Sequence, residues 1–149
     1  MSRLPPSLTS LPTTAPPTPT VLAVDDDVMV LQALSIMLED RGYKVLTAVD
    51  GVQGLRLYRQ HRPDLVLTDI IMPEKEGIAL TRELRREFPD ARIIAMSGGG
   101  RVGKSDYVAI ARAFGAAAGL YKPFDDEELV AAVRMVLERT AAEKKASAA

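Results

Sequence analysis

Short apolar runs alternate with longer amphipathic stretches from Val21 to about residue 140. The short runs, rich in Val, Ile and Leu, are typical of strands buried on both faces, and the stretches between them repeat apolar residues at helical spacing. This alternation predicts a βα repeat. The five strands are predicted at residues 21–25, 43–48, 64–69, 92–97 and 119–121.

Three of the intervening stretches carry an apolar stripe that could pack one helix face on a sheet. The stripes comprise Leu31, Leu34 and Leu38, then Leu80, Leu84 and Phe88, and lastly Leu129, Val133 and Val136. Helix-stop residues follow the first four helical stretches, at Gly42, Pro63, Pro89 and Gly115. The pattern therefore predicts a doubly wound α/β sandwich with a five-stranded parallel sheet.

Composition divides the chain into three segments. Residues 1–20 hold six of the ten prolines among Ser, Thr and Leu, which predicts a disordered leader. The βα pattern occupies residues 21–140, and residues 141–149 form a tail of Ala, Glu, Lys and Ser. The prediction is one folded domain, whose own surface must carry its function.

Charge and cysteine content exclude some classes of function. The net charge is −1 and no basic stripe is interleaved with aromatic residues, so we expect no nucleic-acid partner. The chain has no cysteine, which excludes disulfides and thiolate metal sites. No apolar run is long enough to span a bilayer, so we expect no membrane association and a cytoplasmic location.

Acidic residues stand at the ends of two predicted strands. Asp25 and Asp26 follow the first strand, and Asp69 ends the third. Ligands of open parallel sheets bind at the carboxyl ends of the strands, where these carboxylates would crowd together if the two strands are neighbours. A Mg²⁺ ion would neutralise the cluster, because it prefers oxygen ligands. Asp69 is then our candidate nucleophile toward phosphorus.

Residues at two further strand ends supply the remaining groups that phosphoryl transfer needs. Ser97 ends the fourth strand and can hydrogen-bond a phosphoryl oxygen, and Lys122 follows the fifth and supplies a cation. An Asp-Asp pair alone would more often be structural, as helix caps are, and Asp27 is predicted to be such a cap. The combination at four strand ends favours the chemical interpretation.

These residues resemble the response-regulator receiver domain, a flavodoxin-like (βα)₅ fold. The resemblance covers residues 21–140 and depends on Asp25 and Asp26, on Asp69 followed by Met72-Pro73 and Gly77, on Ser97, and on Lys122-Pro123-Phe124. It implies that Asp69 accepts a phosphoryl group from the phosphohistidine of a sensor kinase or phosphotransfer protein. It also implies that the Ile71 backbone carbonyl joins Asp25, Asp26 and Asp69 around Mg²⁺.

The resemblance further implies that Lys122 pairs with the phosphoryl group, that Ser97 is a switch hydroxyl, and that the Lys122-Pro123 bond is cis. The domain would catalyse only its own phosphorylation and dephosphorylation, so we expect no enzyme in the ordinary sense. A downstream protein would then read the phosphorylated surface.

The chain departs from the usual receiver pattern at two places. Gly119 stands where receivers usually carry an aromatic switch residue. Tyr121 on the same strand face is a candidate substitute, although a packed strand-end tyrosine is the simpler interpretation. The loop 98–105, GGGRVGKS, is longer and richer in glycine than usual. Similar loops in receivers that lack an output domain imply the stand-alone type.

Two other functions use some of the same residues. The segment Gly98 to Ser105 satisfies the P-loop pattern, so nucleotide binding is an alternative. It leaves Asp25, Asp26, Asp69 and Lys122 unexplained. An aspartyl-phosphate hydrolase would normally need a second carboxylate two residues after its nucleophile, where this chain has Ile71.

Overall fold

A computed structural model describes residues 18–70, 77–98, 109 and 112–148, with side chains through residue 139. The strands are β1 (Thr20–Val24), β2 (Lys44–Ala48), β3 (Leu65–Asp69), β4 (Ile93–Ser97) and β5 (Ala118–Tyr121). The helices are α1 (Val28–Glu39), α2 (Gly51–His61), α3 (Gly77–Glu87) and α4 (Asp126–Ala148). Each predicted strand is confirmed to within one residue at either end.

The strands form one parallel sheet in the order β2-β1-β3-β4-β5. The chain moves outward from β1 to β2 and then crosses to β3 on the other side of β1, so the strand order reverses between β1 and β3. Ligands of open α/β sheets bind at such a reversal, outside the carboxyl ends of the strands. The doubly wound α/β prediction is confirmed, and Asp25 and Asp69 lie at this crevice.

Helices cover both faces of the sheet and divide the core into two layers. One layer packs α1 and α4 against the sheet and includes Leu34, Leu129 and Val133. The other packs α2 and α3 and includes Tyr58, Leu80 and Leu84. The apolar stripes predicted from the sequence are all directed into these layers, with Phe88 at the margin of the second.

Local hydrogen bonds fix where the helices begin. Asp27 caps α1, since its carboxylate accepts a hydrogen bond from Met29 N, which confirms the predicted cap. At α2 the Asp50 carboxylate caps the helix by accepting from Gln53 N, and the Gln53 side chain accepts from Val49 N, the residue before the cap. Because only three residues separate β1 from α1, the cap holds the intervening acids at the sheet edge.

The final helix continues through the segment that the composition set apart as a tail, since α4 extends to Ala148. Residues 1–17 lie outside the described part of the chain, as does most of the helix predicted between β4 and β5. Within the described residues, no helix combines the length and apolar character needed to cross a membrane.

Candidate phosphoryl-acceptor site

Asp25 is a buried carboxylate directly after β1. Only 1% of its surface is exposed, its backbone N–H donates to the Ala48 carbonyl, and its Oδ1 accepts from Asp27 N at 2.9 Å. Asp26, the next residue, is exposed. Asp25 and Asp26 thus supply one buried and one exposed carboxylate at the same strand end.

Asp69 brings a third carboxylate from the neighbouring strand. It ends β3, one residue beyond the register pair of Val24 with Thr68, which places it beside Asp25. Carboxylate oxygens of Asp25, Asp26 and Asp69 all lie within 4.8 Å of one another. Three oxygen donors at this spacing suit a hard divalent cation, so the residues predicted to hold a metal fit that role.

Lys122 lies between two of the acids. Its Nζ is 2.6 Å from Asp25 Oδ2, to which it donates a hydrogen bond, and 3.6 Å from Asp69 Oδ2. Burial of the ammonium is the largest single influence on its pKa and lowers it. The hydrogen bond to Asp25 and the charges of Asp69 and Asp25 together outweigh burial, so the pKa of Lys122 is raised.

Ser97 connects to Lys122 through the backbone. It is the last residue of β4 and only 3% exposed, and its carbonyl accepts a 2.7 Å hydrogen bond from Lys122 N. The Ser97 hydroxyl donates to the Gly98 carbonyl at 3.2 Å. The Lys122-Pro123 bond is cis, as the resemblance implied. The serine and the lysine are therefore carried by adjoining, directly bonded segments.

The structure also shows contacts around Asp69 that the sequence analysis did not identify. Gly77, at the start of α3, lies so close to Asp69 that a Cβ built on it would be 1.9 Å from the Asp69 carbonyl oxygen. Buried hydroxyls of Thr68 and Thr81 also lie in this region. The available sequence signal was a polar residue within the otherwise apolar runs of β3 and of the buried face of α3.

The remaining predictions concern Tyr121, the residues after Asp69 and the glycine-rich loop. Tyr121 is 38% exposed, so the packed strand-end tyrosine that we considered the simpler interpretation is not what the structure shows. Ile71, Met72, Pro73 and residues 99–105 of the glycine-rich loop fall outside the described residues.

Comparisons with known proteins agree on the family. A model of the response regulator receiver domain matches residues 21–134. The chain is 36% identical over 133 residues to the DNA-binding dual master transcriptional regulator RpaA of Synechocystis, covering 82% of this chain and 50% of RpaA. It is 40% identical over 120 residues to the response regulator MprA of Mycobacterium leprae, covering 80% of this chain and 51% of MprA.

Solved structures of receivers share the fold. A response regulator receiver domain protein from Clostridium thermocellum superposes with a TM-score of 0.73 at 29% identity, covering 85% of this chain and 97% of the other. A CheY-like receiver domain protein from Methanospirillum hungatei gives 0.78 at 26% identity, covering 85% and 98%.

The chain spans about half the length of the curated relatives it matches, so these relatives extend beyond the matched region. One of them is named as DNA-binding, so our expectation of no nucleic-acid partner concerns this chain alone and stays a prediction, as does the stand-alone type. Nothing in these comparisons supports the P-loop alternative. The family match and the shared fold together show that the chain belongs to the response regulator receiver domain family.

Proposed function

We propose that this chain is a phospho-acceptor switch of a two-component system, in which Asp69 takes a phosphoryl group from a phosphohistidine donor. The observation that carries the proposal is the convergence of three carboxylates and one ammonium at the sheet's strand-order reversal. Phosphoryl transfer needs a nucleophile, charge neutralisation and a positioned cation, and this cluster contains residues suited to each role.

Asp69 suits the role of nucleophile better than Asp25 does. The side chain of Asp69 is 13% exposed, whereas that of Asp25 is 1% exposed, so a phosphoryl donor can reach Asp69 more readily. An oxygen of Asp69 would form a bond to phosphorus while the bond from phosphorus to the donor's imidazole nitrogen breaks. The electron pair of that bond returns to the imidazole, and the product is an acyl phosphate.

Asp25, Asp26 and Asp69, with the Ile71 carbonyl, would hold Mg²⁺. A bound Mg²⁺ supplies charge neutralisation for the phosphoryl oxygens. Lys122 starts 3.6 Å from Asp69 Oδ2, so a phosphoryl group on Asp69 would compete with Asp25 for its ammonium. Ser97 would redirect its hydroxyl from Gly98 O to a phosphoryl oxygen.

Those two shifts would favour a second arrangement of the surface formed by the helix predicted between β4 and β5, by β5 and by α4, which a downstream protein then reads. A sensor histidine kinase or a histidine phosphotransfer protein is the expected donor. The site phosphorylates only itself, and we place the protein in the cytoplasm.

Intact mass after incubation with phosphoramidate and Mg²⁺ tests the proposal. We expect a single phosphoryl adduct that hydroxylamine removes, because an acyl phosphate is susceptible to that nucleophile. Asp69→Asn should abolish the adduct, while the exposed Asp90→Asn in the turn before β4 should leave it unchanged. An adduct that persists in Asp69→Asn, or none in the wild type, would overturn the proposed function.

A further inference from the structure

The backbone of the proposed phospho-acceptor is held in an unusually close contact with α3. A Cβ added to Gly77 would lie 1.9 Å from Asp69 O, 2.8 Å from Asp69 C and 2.8 Å from Ile70 Cα. Real Cβ atoms do not approach backbone so closely, so only glycine fits at this position. The first residue of α3 therefore lies directly against the carbonyl group of Asp69.

A backbone hydrogen bond closes the connection between the two elements. Gly77 N donates to Ile70 O at 2.7 Å, which joins the residue after β3 to the first residue of α3. On the strand side, Ile70 N donates to Met96 O at 3.0 Å, so the end of β3 is also fixed to β4. The peptide that carries Asp69 is thus restrained from both directions.

Two fully buried hydroxyls bond to the two carbonyls at this contact. Thr68 Oγ1 donates to Asp69 O at 3.0 Å, and Thr81 Oγ1 donates to Gly77 O at 2.7 Å. Both threonines are 0% exposed. Thr68 lies two residues after Val66 on the same strand face, and Thr81 follows Leu80, and both Val66 and Leu80 belong to the layer formed by α2 and α3. Valine has the same branched shape, and at such sites it would avoid the cost of burying a hydroxyl. An apolar side chain could fill the same space, so what each hydroxyl adds is a directional hydrogen bond.

We propose that Thr68 and Thr81 are positioning residues, whose hydroxyls fix the Asp69 and Gly77 carbonyls and so hold the Asp69 carboxylate in reacting geometry. The inference rests on the proposed function of Asp69. Rotation of the Asp69 peptide would move its carboxylate relative to Lys122 and to the oxygens of Asp25 and Asp26. Phosphoryl transfer is sensitive to displacements of this kind, since a shift of about 1 Å can cost ~100-fold in rate.

Paired substitutions distinguish the effect of losing the hydroxyl from the effect of changing the side-chain shape. Thr68→Val and Thr81→Val keep the branched shape and lose the hydrogen bond, whereas Thr68→Ser and Thr81→Ser keep the hydroxyl. We expect each valine variant to be phosphorylated by phosphoramidate about tenfold more slowly, and each serine variant to stay within about twofold of the wild type. Mg²⁺ affinity, measured by calorimetric titration, should follow the same order.

Val133→Ala is the matched control for general loss of stability. Val133 is fully buried in the other core layer, so its truncation destabilises the fold without touching Asp69. Circular dichroism at the assay temperature confirms that every variant is folded. The proposal is overturned if the valine variants react at the wild-type rate, if serine does not restore the rate, or if Val133→Ala slows the reaction equally.

The Mg²⁺ titration separates this inference from the function on which it rests. If the wild type gives no adduct, the proposed function fails. A Mg²⁺ affinity that falls in the valine variants and returns in the serine variants would then still support the positioning role. Equal Mg²⁺ affinity in all variants would remove that role as well.

Discussion

The ammonium of Lys122 donates a 2.6 Å hydrogen bond to the buried carboxylate of Asp25, across 97 residues of sequence. This bond joins the residue after β5 to the residue after β1, two strands that are not neighbours in the sheet. Two strands, β3 and β4, lie between them, and Asp69 at the end of β3 is 3.6 Å from the same ammonium. One cation therefore offsets carboxylates from two strands.

Breaking this pair should destabilise the fold. Asp25 is 1% exposed, so Lys122→Met would leave a buried carboxylate without its cation, and we expect a loss of about 2 kcal/mol in the free energy of unfolding. Urea unfolding of the wild type, Asp25→Asn, Lys122→Met and the double variant gives the coupling energy, expected at ~1–3 kcal/mol. A coupling energy near zero would show that the hydrogen bond contributes nothing net.

Stability should fall at alkaline pH because the pKa of Lys122 is raised. A group whose pKa is higher in the folded state contributes its full stabilisation below its unfolded pKa, about 10.4 for lysine, and loses it as the pH rises through the folded pKa. We expect the free energy of unfolding to decline above about pH 10, and to decline less in Lys122→Met.

The alkaline experiment needs a correction for Tyr58. Burial raises the pKa of its hydroxyl, and the resulting loss of stability occurs in the same direction and a similar pH range. Urea titrations from pH 8 to 11 are therefore compared in a Tyr58→Phe background. If adding Lys122→Met to Tyr58→Phe leaves the pH dependence of the free energy of unfolding unchanged, Lys122 is not the titrating group.

Substitutions of two neighbouring acids after β1 should separate metal binding from helix capping. Asp26→Asn removes an exposed member of the carboxylate cluster, so it should weaken Mg²⁺ binding and slow phosphorylation with little change in stability. Asp27→Ala removes the cap of α1 and should cost about 1 kcal/mol of stability, leaving Mg²⁺ affinity within about twofold.

Urea unfolding and Mg²⁺ titration of these two variants supply the measurements, with Asp27→Asn as the variant that retains a capping side chain. A loss of Mg²⁺ affinity in Asp27→Ala equal to that in Asp26→Asn would contradict the separate roles.

Gly77 should not tolerate even a methyl group. A Cβ there would overlap the Asp69 carbonyl, so Gly77→Ala should displace backbone and cost at least ~1–3 kcal/mol. Gly98→Ala is the matched control, because a Cβ at Gly98 meets no neighbour closer than Lys122 Cδ at 4.0 Å. Urea midpoints of the two variants should differ clearly, and equal midpoints would show that the contact can relax without cost.

The fold was predictable because its signals are local. Strand boundaries followed from apolar runs such as Ile93–Ser97, and helix faces followed from the spacing of residues such as Leu80 and Leu84. Their positions at the ends of predicted strands then identified the acids that the structure brings together, and the family resemblance agreed with that choice. Their convergence depends on β1 and β3 being neighbours, which the sequence analysis could state only as a condition.

The contacts around Asp69 could not be predicted in the same way. The pairing of Lys122 with Asp25 needs the distance between two loops, and the contact of Gly77 with Asp69 needs the path of the β3–α3 connection. Thr68 looked like an ordinary strand residue because a single hydroxyl does not disturb the apolar pattern. The exposure of Tyr121 likewise depends on tertiary surroundings, which strand alternation does not specify.

The burial of β1 and β3 also bears on how the protein opens. Val21 to Val24 and Leu65 to Thr68 are all 0% exposed, and both strands have a hydrogen-bonded neighbour on each side. Amides in such central strands exchange with solvent only through the largest unfolding events. Asp25 and Asp69 are attached to these two strands, so fraying of the edge strands would leave their spacing intact. Only global unfolding would separate them.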